Sequence, residues 1–184
     1  MSRLNAIRNL APLHNPIAMD VIKTSKTIFP KIRQFAIFDT GFYRDLPEVA
    51  TLIPIERRVA RARGYKRYGF HGISHQYAID QVDPNSCLKV ISIHLGAGCS
   101  ITAAINGLPV DTSMGYTPLD GLVMQTRGGS LDPGVVLDLV QEYGLKRTQQ
   151  ILQHKSGLAG MTASSGDMGE LLGSAGYEVT GKED

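Results

Sequence analysis

The chain has 184 residues, of which 42% are hydrophobic and 20% charged, and its formal net charge is +2. That composition supplies enough apolar material for a folded core and excludes a charge-dominated disordered chain. A balance so close to neutral, without a basic tail, gives no electrostatic reason to expect nucleic acid as a partner. The two cysteines, Cys87 and Cys99, have no CxxC or Cys/His spacing. They fit small buried thiols of a reduced, cytoplasmic protein rather than a disulfide framework. The N-terminal residues carry no apolar leader, and no apolar run reaches the roughly 20 residues a membrane helix needs. A soluble, cytoplasmic chain without membrane contact is the expectation.

Taken in chain order, the pattern predicts a helix over Ile17 to Phe29, with Asn15 as N-cap, Pro16 at the first helical position, Ile17, Val21 and Ile28 on one face, and Pro30 closing it. Phe35-Ala-Ile-Phe38 reads as a short buried strand that delivers Asp39 at its mouth. Residues 44 to 55 contain Pro47 and Pro54 and read as an irregular connection, followed by a short helix from Glu56 to Arg63 that ends at Gly64. The basic cluster Arg57, Arg58, Arg61, Arg63, Lys66 and Arg67 suits a solvated helix face better than a polyanion patch.

From Lys89 the spacing changes to alternation. Val90 to Leu95, Ile101 to Ile105 and Val110 to Ser113, with Asn106-Gly107 between the last two, predict a three-stranded meander. Asp132-Pro133 should cap a helix that buries Val135, Val136, Leu139, Val140 and Tyr143 and stops at Gly144, with a second helix over Lys146 to His154. Residues 173 to 184 lose periodicity and are expected to be a disordered tail.

Several segments hold chemistry-bearing side chains. Gly96-Ala-Gly-Cys-Ser100 is not a dinucleotide fingerprint, because the third glycine is absent and a strand follows. A Gly-rich turn between antiparallel strands can bring backbone N–H groups to phosphates, and ordinary hairpins use glycine as well. His71 and His75 have the i, i+4 spacing of a two-histidine metal pair, but the Glu of HExxH is missing and no cysteine cluster completes the set. A histidine that caps or packs a helix start is the alternative. Asp39, His71 and Arg127 place a carboxylate, an imidazole and a guanidinium in separate Gly-punctuated segments, the groups that phosphoryl transfer uses for positioning and charge neutralisation.

Whole strings carry a resemblance. Ala11-Pro-Leu-His-Asn-Pro16, Phe38-Asp-Thr40, Arg67-Tyr-Gly-Phe-His-Gly72 with Ser74-His75, His94-Leu-Gly96, Asp111-Thr-Ser-Met-Gly115, Thr126-Arg127, Lys155-Ser-Gly-Leu158 and Gly166-Asp-Met168 occur in the order and at about the spacing of the acetate kinase family. The chain resembles that family to about Leu172. The resemblance implies an α/β fold of the ribonuclease H-like, actin and sugar-kinase ATPase type. Only part of it would be present: the end of a first domain over residues 1–45 and most of the core of a second over 46–172.

The resemblance also implies reversible transfer of the γ-phosphoryl of Mg-ATP to a short-chain carboxylate. Asp39 matches the family's active-site aspartate, and His71 and Arg127 match the groups that stabilise the transferring phosphoryl. His94, Leu95, Gly96, Ala97 and Gly98 match the ATP phosphate hairpin, Asp167, Met168 and Gly169 the adenosine contact, and His14 a motif beside the acyl site. A carboxylate substrate is ionised near pH 7, so Asp39 suits metal and geometry control better than an obligatory base.

The family's Asn-x-Gly-Ser-Ser-Ser strand, its substrate-binding arginine, a further Gly-rich nucleotide segment and its magnesium-binding glutamate have no counterparts here. No metal ligand is therefore assigned within this chain, and the magnesium site is expected to be incomplete and activity impaired. Ala97, Cys99, Tyr43, Gln125, Ser130 and Gly169 depart from the commonest family residues at their positions. A remnant that only binds nucleotide or associates, possible as a homodimer, is the alternative the sequence leaves open.

Overall fold

The structure is a computed structural model, and it describes Leu4 and residues 15–177. Helix α1 spans Asn15–Ile28 and takes Asn15 in as its first residue. The 3₁₀ turn Gly41–Tyr43 and helices α2 (Glu48–Thr51), α3 (Arg57–Arg63) and α4 (Gly72–Val82) follow. Strands β1 (Lys89–Leu95), β2 (Cys99–Ile105) and β3 (Leu108–Thr112) then form one antiparallel sheet in that order. Helices α5 (Pro133–His154), α6 (Gly157–Thr162) and α7 (Met168–Ser174) complete the described chain.

The meander forms where alternation predicted it. Ile105 pairs with Leu108 across Asn106 and Gly107, whose φ values of 54° and 75° are those of a type I′ turn. Such a turn matches the right-handed twist of the flanking strands, and glycine and asparagine bear its positive φ at low cost. Helix α3 ends at Gly64 in the left-handed conformation, as predicted. Helix α5 starts at the Asp132 cap, whose carboxylate accepts from the Gly134 N–H at 2.7 Å, and breaks at Gly144 with φ 73° and ψ 163°. The two predicted helices are thus its two halves.

Other expectations are corrected. Phe35 to Phe38 is not a strand: no neighbouring strand is described beside it, and Phe35 and Ile37 are 80% and 82% exposed. An apolar run records a tendency to be covered, but a strand also needs a partner ladder. The three apolar residues on one face of α1, Ile17, Val21 and Ile28, are exposed, while Asn15, Ala18, Met19 and Ile22 line a cavity. Of the residues predicted to be buried on α5, Val135 and Tyr143 are exposed. Cys87 is exposed rather than buried, and both thiols are free. Helix α2 lies inside the stretch expected to be irregular, and α7 reaches Ser174, so the tail expected from residue 173 begins inside a helix. Residues 178–184 lie outside the described residues.

The sheet buries its polar face. Ser92, Ser100, Thr102 and Thr112 are buried, whereas Ile91, Ile93 and Leu95 on the opposite face of β1 are exposed. Helix α4 packs on β1, with Ile79 and His75 fully buried. Tyr43 is buried as well. Its hydroxyl donates to the Phe70 carbonyl at 3.0 Å and shares a hydrogen bond with Thr102 Oγ1 at 2.8 Å. Gly69 makes room for that ring, because a Cβ there would sit 2.5 Å from Tyr43 Cδ2. Tyr43 thereby ties the segment after Asp39 to β2 and to the loop before His71. Tyr43→Phe strands buried polar partners and is expected to cost about 1–3 kcal/mol, measured by urea denaturation.

Candidate active site

Helix α4 begins at the centre of the site. His71 is its N-cap, with φ 58° and ψ 25°. The Asp39 carboxylate lies against that helix end, where its Oδ2 accepts from the His71 backbone N–H at 2.6 Å and the Asp39 carbonyl accepts from Gly72 N at 2.9 Å. Two unsatisfied donors of the helix start are met in this way, and the N-terminal dipole favours the negative charge. Gly72 permits the approach, since a side chain there would run into the Asp39 carbonyl oxygen. His71 precedes the helical residues with left-handed backbone geometry, and its Nδ1 and the Nε2 of His75 both meet the Ser100 hydroxyl, so these two nitrogens are already engaged. Among the described residues no group of three or more His, Cys, Asp or Glu side chains could hold a metal ion.

The imidazoles are arranged by hydroxyls. Ser100 Oγ lies 2.8 Å from His71 Nδ1 and 2.8 Å from His75 Nε2, and Ser92 Oγ lies 2.9 Å from His75 Nδ1. The His94 ring stacks on His71 with centroids 4.1 Å apart and is itself paired with Ser74 Oγ through Nδ1 at 2.9 Å. Desolvation, reinforced by His71 and His94, lowers the pKa of buried His75 to about 4. The unfolded chain then binds a proton on His75 near pH 6.5 that the folded chain refuses until about pH 4. Stability from this group is full above pH 6.5 and is lost as pH falls through that window, by on the order of 3 kcal/mol. Urea melts from pH 7 to 4 should show the decline, and His75→Gln should flatten it.

Arg127 approaches from the loop before α5. Its Nη1 donates to the Pro118 carbonyl at 2.7 Å, and no carboxylate pairs with it among the described residues. Burial draws its pKa down, although a guanidinium stays protonated. Gly98 sits between the two cationic or donor groups. A Cβ built on it would lie 2.7 Å from Arg127 Nη2 and 3.0 Å from both Cε1 and Nε2 of His71. The glycine is therefore needed for the close approach of these two side chains, whereas the sequence had offered the turn as a way to bring backbone N–H groups to phosphates. A cavity of about 700 Å³ opens here, walled by Ala18, Met19 and Ile22 of α1 and by Asp39, His71 and Arg127. Tyr68, Phe70, Tyr116 and Pro118 add an apolar side. Fixed donors and a guanidinium with no carboxylate partner among the described residues, beside an apolar chamber, suit a small anion with a short hydrocarbon part.

The structure thus brings Asp39, His71, Ala97, Gly98 and Arg127 to one cavity, with His94 stacked behind His71. Gly96 closes the hairpin by donating to the Gly98 carbonyl at 2.9 Å, and the Leu95 side chain is exposed on the other sheet face. Asp167, Met168 and Gly169 do not line the cavity. Asp167 caps α7 by accepting from Glu170 N at 3.0 Å. Their loop is nonetheless joined to the hairpin by Gln125, whose backbone N–H donates to the Ala97 carbonyl at 3.2 Å and whose Nε2 donates to Ser165 O at 3.1 Å. His14 lies outside the described residues.

Sequence reading missed the tethering part of Gln125 and the Ser100 bridge, because neither a lone glutamine nor a serine in a strand has a signal of its own. Arg67 also leaves the solvated cluster. Its Nη1 donates to the carbonyls of Thr112 at 2.9 Å and Ser113 at 3.1 Å, whereas Arg57, Arg58, Arg61 and Arg63 are exposed as expected.

A three-stranded sheet with flanking helices, whose Gly hairpin, α4 start and Arg127 border one cavity, makes this a mixed α/β chain. A sequence profile of the acetokinase family matches residues 1–181. The chain belongs to the acetokinase family. The acetate kinase of Nostoc punctiforme is 40% identical over 173 residues, 90% of this chain and 42% of that protein. The acetate kinase of Caldanaerobacter subterraneus subsp. tengcongensis is 41% identical over 182 residues, 95% of this chain and 45% of that protein.

Two crystal structures are also similar. A propionate kinase from Francisella tularensis superimposes with a TM-score of 0.88 at 38% identity, covering 95% of this chain and 47% of that one. The acetate kinase of Entamoeba histolytica gives 0.85 at 36% identity, covering 93% and 45%. The fold is therefore that of the acetate and propionate kinases, of the actin-like ATPase type, and this chain carries part of it. The chain spans less than half the length of the relatives it matches. Among the described residues no helix is long and apolar enough to cross a membrane.

Proposed function

We propose that this chain supplies the phosphoryl-stabilising part of an acetate kinase-type phosphotransferase, which moves the γ-phosphoryl of ATP reversibly to acetate to give acetyl phosphate and ADP. The observation that carries this reading is the convergence of the His71 ring edge and Arg127 Nη2 on Gly98 at the cavity wall. A metaphosphate-like transition state spreads charge over its equatorial oxygens, and fixed N–H donors hold that charge without reorganising. His71 and Arg127 are assigned that role.

Asp39 orients the His71 backbone and has no proton to remove from an ionised carboxylate. The hairpin from His94 to Gly98 is assigned to the ATP phosphates, Asp167 to Gly169 to the adenosine, and His14 to the acyl side. The split into actin-like domains near residues 45 and 46, and a cytoplasmic setting without nucleic acid or membrane partners, belong to the same proposal. Magnesium is the ion that ATP brings in this chemistry. The described residues do not fit a complete site for it, since only Asp39 among the catalytic assignments is a carboxylate and it is engaged with His71. No step is derived through the ion.

Exposure of Ile91, Ile93 and Leu95 favours a second reading, in which the chain binds nucleotide and associates without turnover. Calorimetry with ATP, light scattering and hydroxamate detection of acetyl phosphate separate the two. Micromolar ATP binding supports the retained site, and its absence removes the nucleotide assignment. Because the metal donors among the described residues are incomplete, this chain alone is expected to give little turnover. Rates typical of kinases, roughly 1–100 s⁻¹, would show that expectation to be wrong.

A further inference from the structure

We propose that His75 is a positioning residue that acts through Ser100 to hold His71 in the tautomer with its proton on Nε2, so that an N–H donor faces the anion site beside Gly98 and Arg127. The identity of the anion rests on the phosphoryl-site reading above, whereas the proton arrangement does not.

The direction follows from counting hydrogens. Ser100 is fully buried, and its single hydroxyl lies 2.8 Å from one nitrogen of each imidazole. If both rings donated to it, its own proton would be buried without an acceptor, which costs free energy. It therefore donates to one ring and accepts from the other, and the two tautomers are coupled. Ser92 sets which way the chain runs. That residue is buried, and the one hydrogen-bond partner of its Oγ among the described residues is His75 Nδ1 at 2.9 Å. Were Ser92 to accept there, its own proton would have no described acceptor, so Ser92 donates to Nδ1.

A neutral His75 then has its proton on Nε2 and donates it to Ser100. Ser100 donates in turn to His71 Nδ1, which leaves the His71 proton on Nε2. Neutrality of His75 is secured by its burial, with a pKa near 4, and by the titratable groups around it: His71 and His94 oppose its charge and Asp39 favours it. Stacking of His94 on His71 holds the ring plane, but stacking does not choose a tautomer.

The chosen tautomer matters because of what the ring edge meets. The Cε1 and Nε2 atoms of His71 and the Nη2 of Arg127 border the same point above Gly98. A phosphoryl oxygen only accepts, so a bare Nε2 lone pair would repel it, whereas Nε2–H adds a donor beside the guanidinium.

Long-range ¹H–¹⁵N NMR of the imidazole rings of the whole labelled chain at pH 8 tests this directly. His71 and His75 are each expected as a single Nε2–H tautomer with a bare Nδ1. In Ser100→Ala, the single Nε2–H tautomer of His71 should give way to a mixture of tautomers, and affinity for inorganic phosphate should fall roughly 2- to 12-fold, the range of one net hydrogen bond. His75→Gln should retain the Nε2–H form of His71, because its amide can donate to Ser100 and accept from Ser92. His75→Leu should lose it. If His75→Leu fails to fold, Ser100→Ala and His75→Gln still decide the matter, with amide spectra reporting the fold.

Finding the His71 proton on Nδ1 in the parent chain, or an unchanged single tautomer in Ser100→Ala, overturns the proposal. Absence of phosphate and ATP binding with the expected tautomers would instead remove the phosphoryl-site reading and leave the relay standing.

Discussion

Gly157→Ala is expected to lower the melting temperature by on the order of 10 °C and to weaken anion binding at a distance from the mutated atom. Gly157 opens α6 with φ 64°, a region where a side chain costs roughly 1–2 kcal/mol. Its Cβ would also run into the Met124 carbonyl oxygen and sit 2.7 Å and 2.8 Å from the backbone O and N of Arg127. These are backbone atoms, so the clash cannot be relieved by a rotamer change. The loop must move, and the combined loss should be about 3 kcal/mol or more. For a chain of this size each kcal/mol is worth roughly 2–4 °C. Scanning calorimetry reads the first effect and phosphate titration the second. A melting temperature within about 2 °C of the parent would show that α6 does not hold the Arg127 loop as described.

Arg127→Ala should leave stability nearly intact while reducing affinity for ATP and for inorganic phosphate roughly 10- to 150-fold. A hydrogen bond to a charged group contributes about 1.5–3 kcal/mol, and that range converts to this factor. Within the protein the guanidinium meets the Pro118 carbonyl and no described carboxylate, so its removal strands no ion-pair partner. Lys should recover only part of the loss, because an ammonium cannot reproduce the planar fork. Isothermal titration at two salt concentrations checks both points. Equal affinity in parent and variant would take Arg127 out of the anion site.

Local pattern was enough for much of the architecture. Asn106-Gly107 identified its turn because few residues tolerate two consecutive positive φ angles. Asp132-Pro133 and Gly144 marked a helix start and break by the same local logic, and Gly64 marked the end of α3. Phe35 to Phe38 misled because hydrophobicity carries no information about whether a neighbouring strand exists. On α1 two apolar sets share the helix, and only its cavity-side neighbours decide which of them lines the cavity. In the meander, alternation named two faces but not the covered one. The polar face is inside because Ser92, Ser100 and Thr102 bond to His75 and Tyr43.

By itself the sequence determined the family, through ordered strings around Asp39, His71 and Arg127, together with the turns and caps that depend on neighbours a few residues away. Tertiary structure alone decided how those residues act together. Asp39 faces a helix start, Gly98 admits a ring edge and a guanidinium to one point, and Ser100 joins two histidines from a strand that neither belongs to. The physical reason is range. Backbone conformation is set by adjacent residues, whereas hydrogen-bond direction, burial and charge compensation are set by groups that only folding brings within about 3 Å.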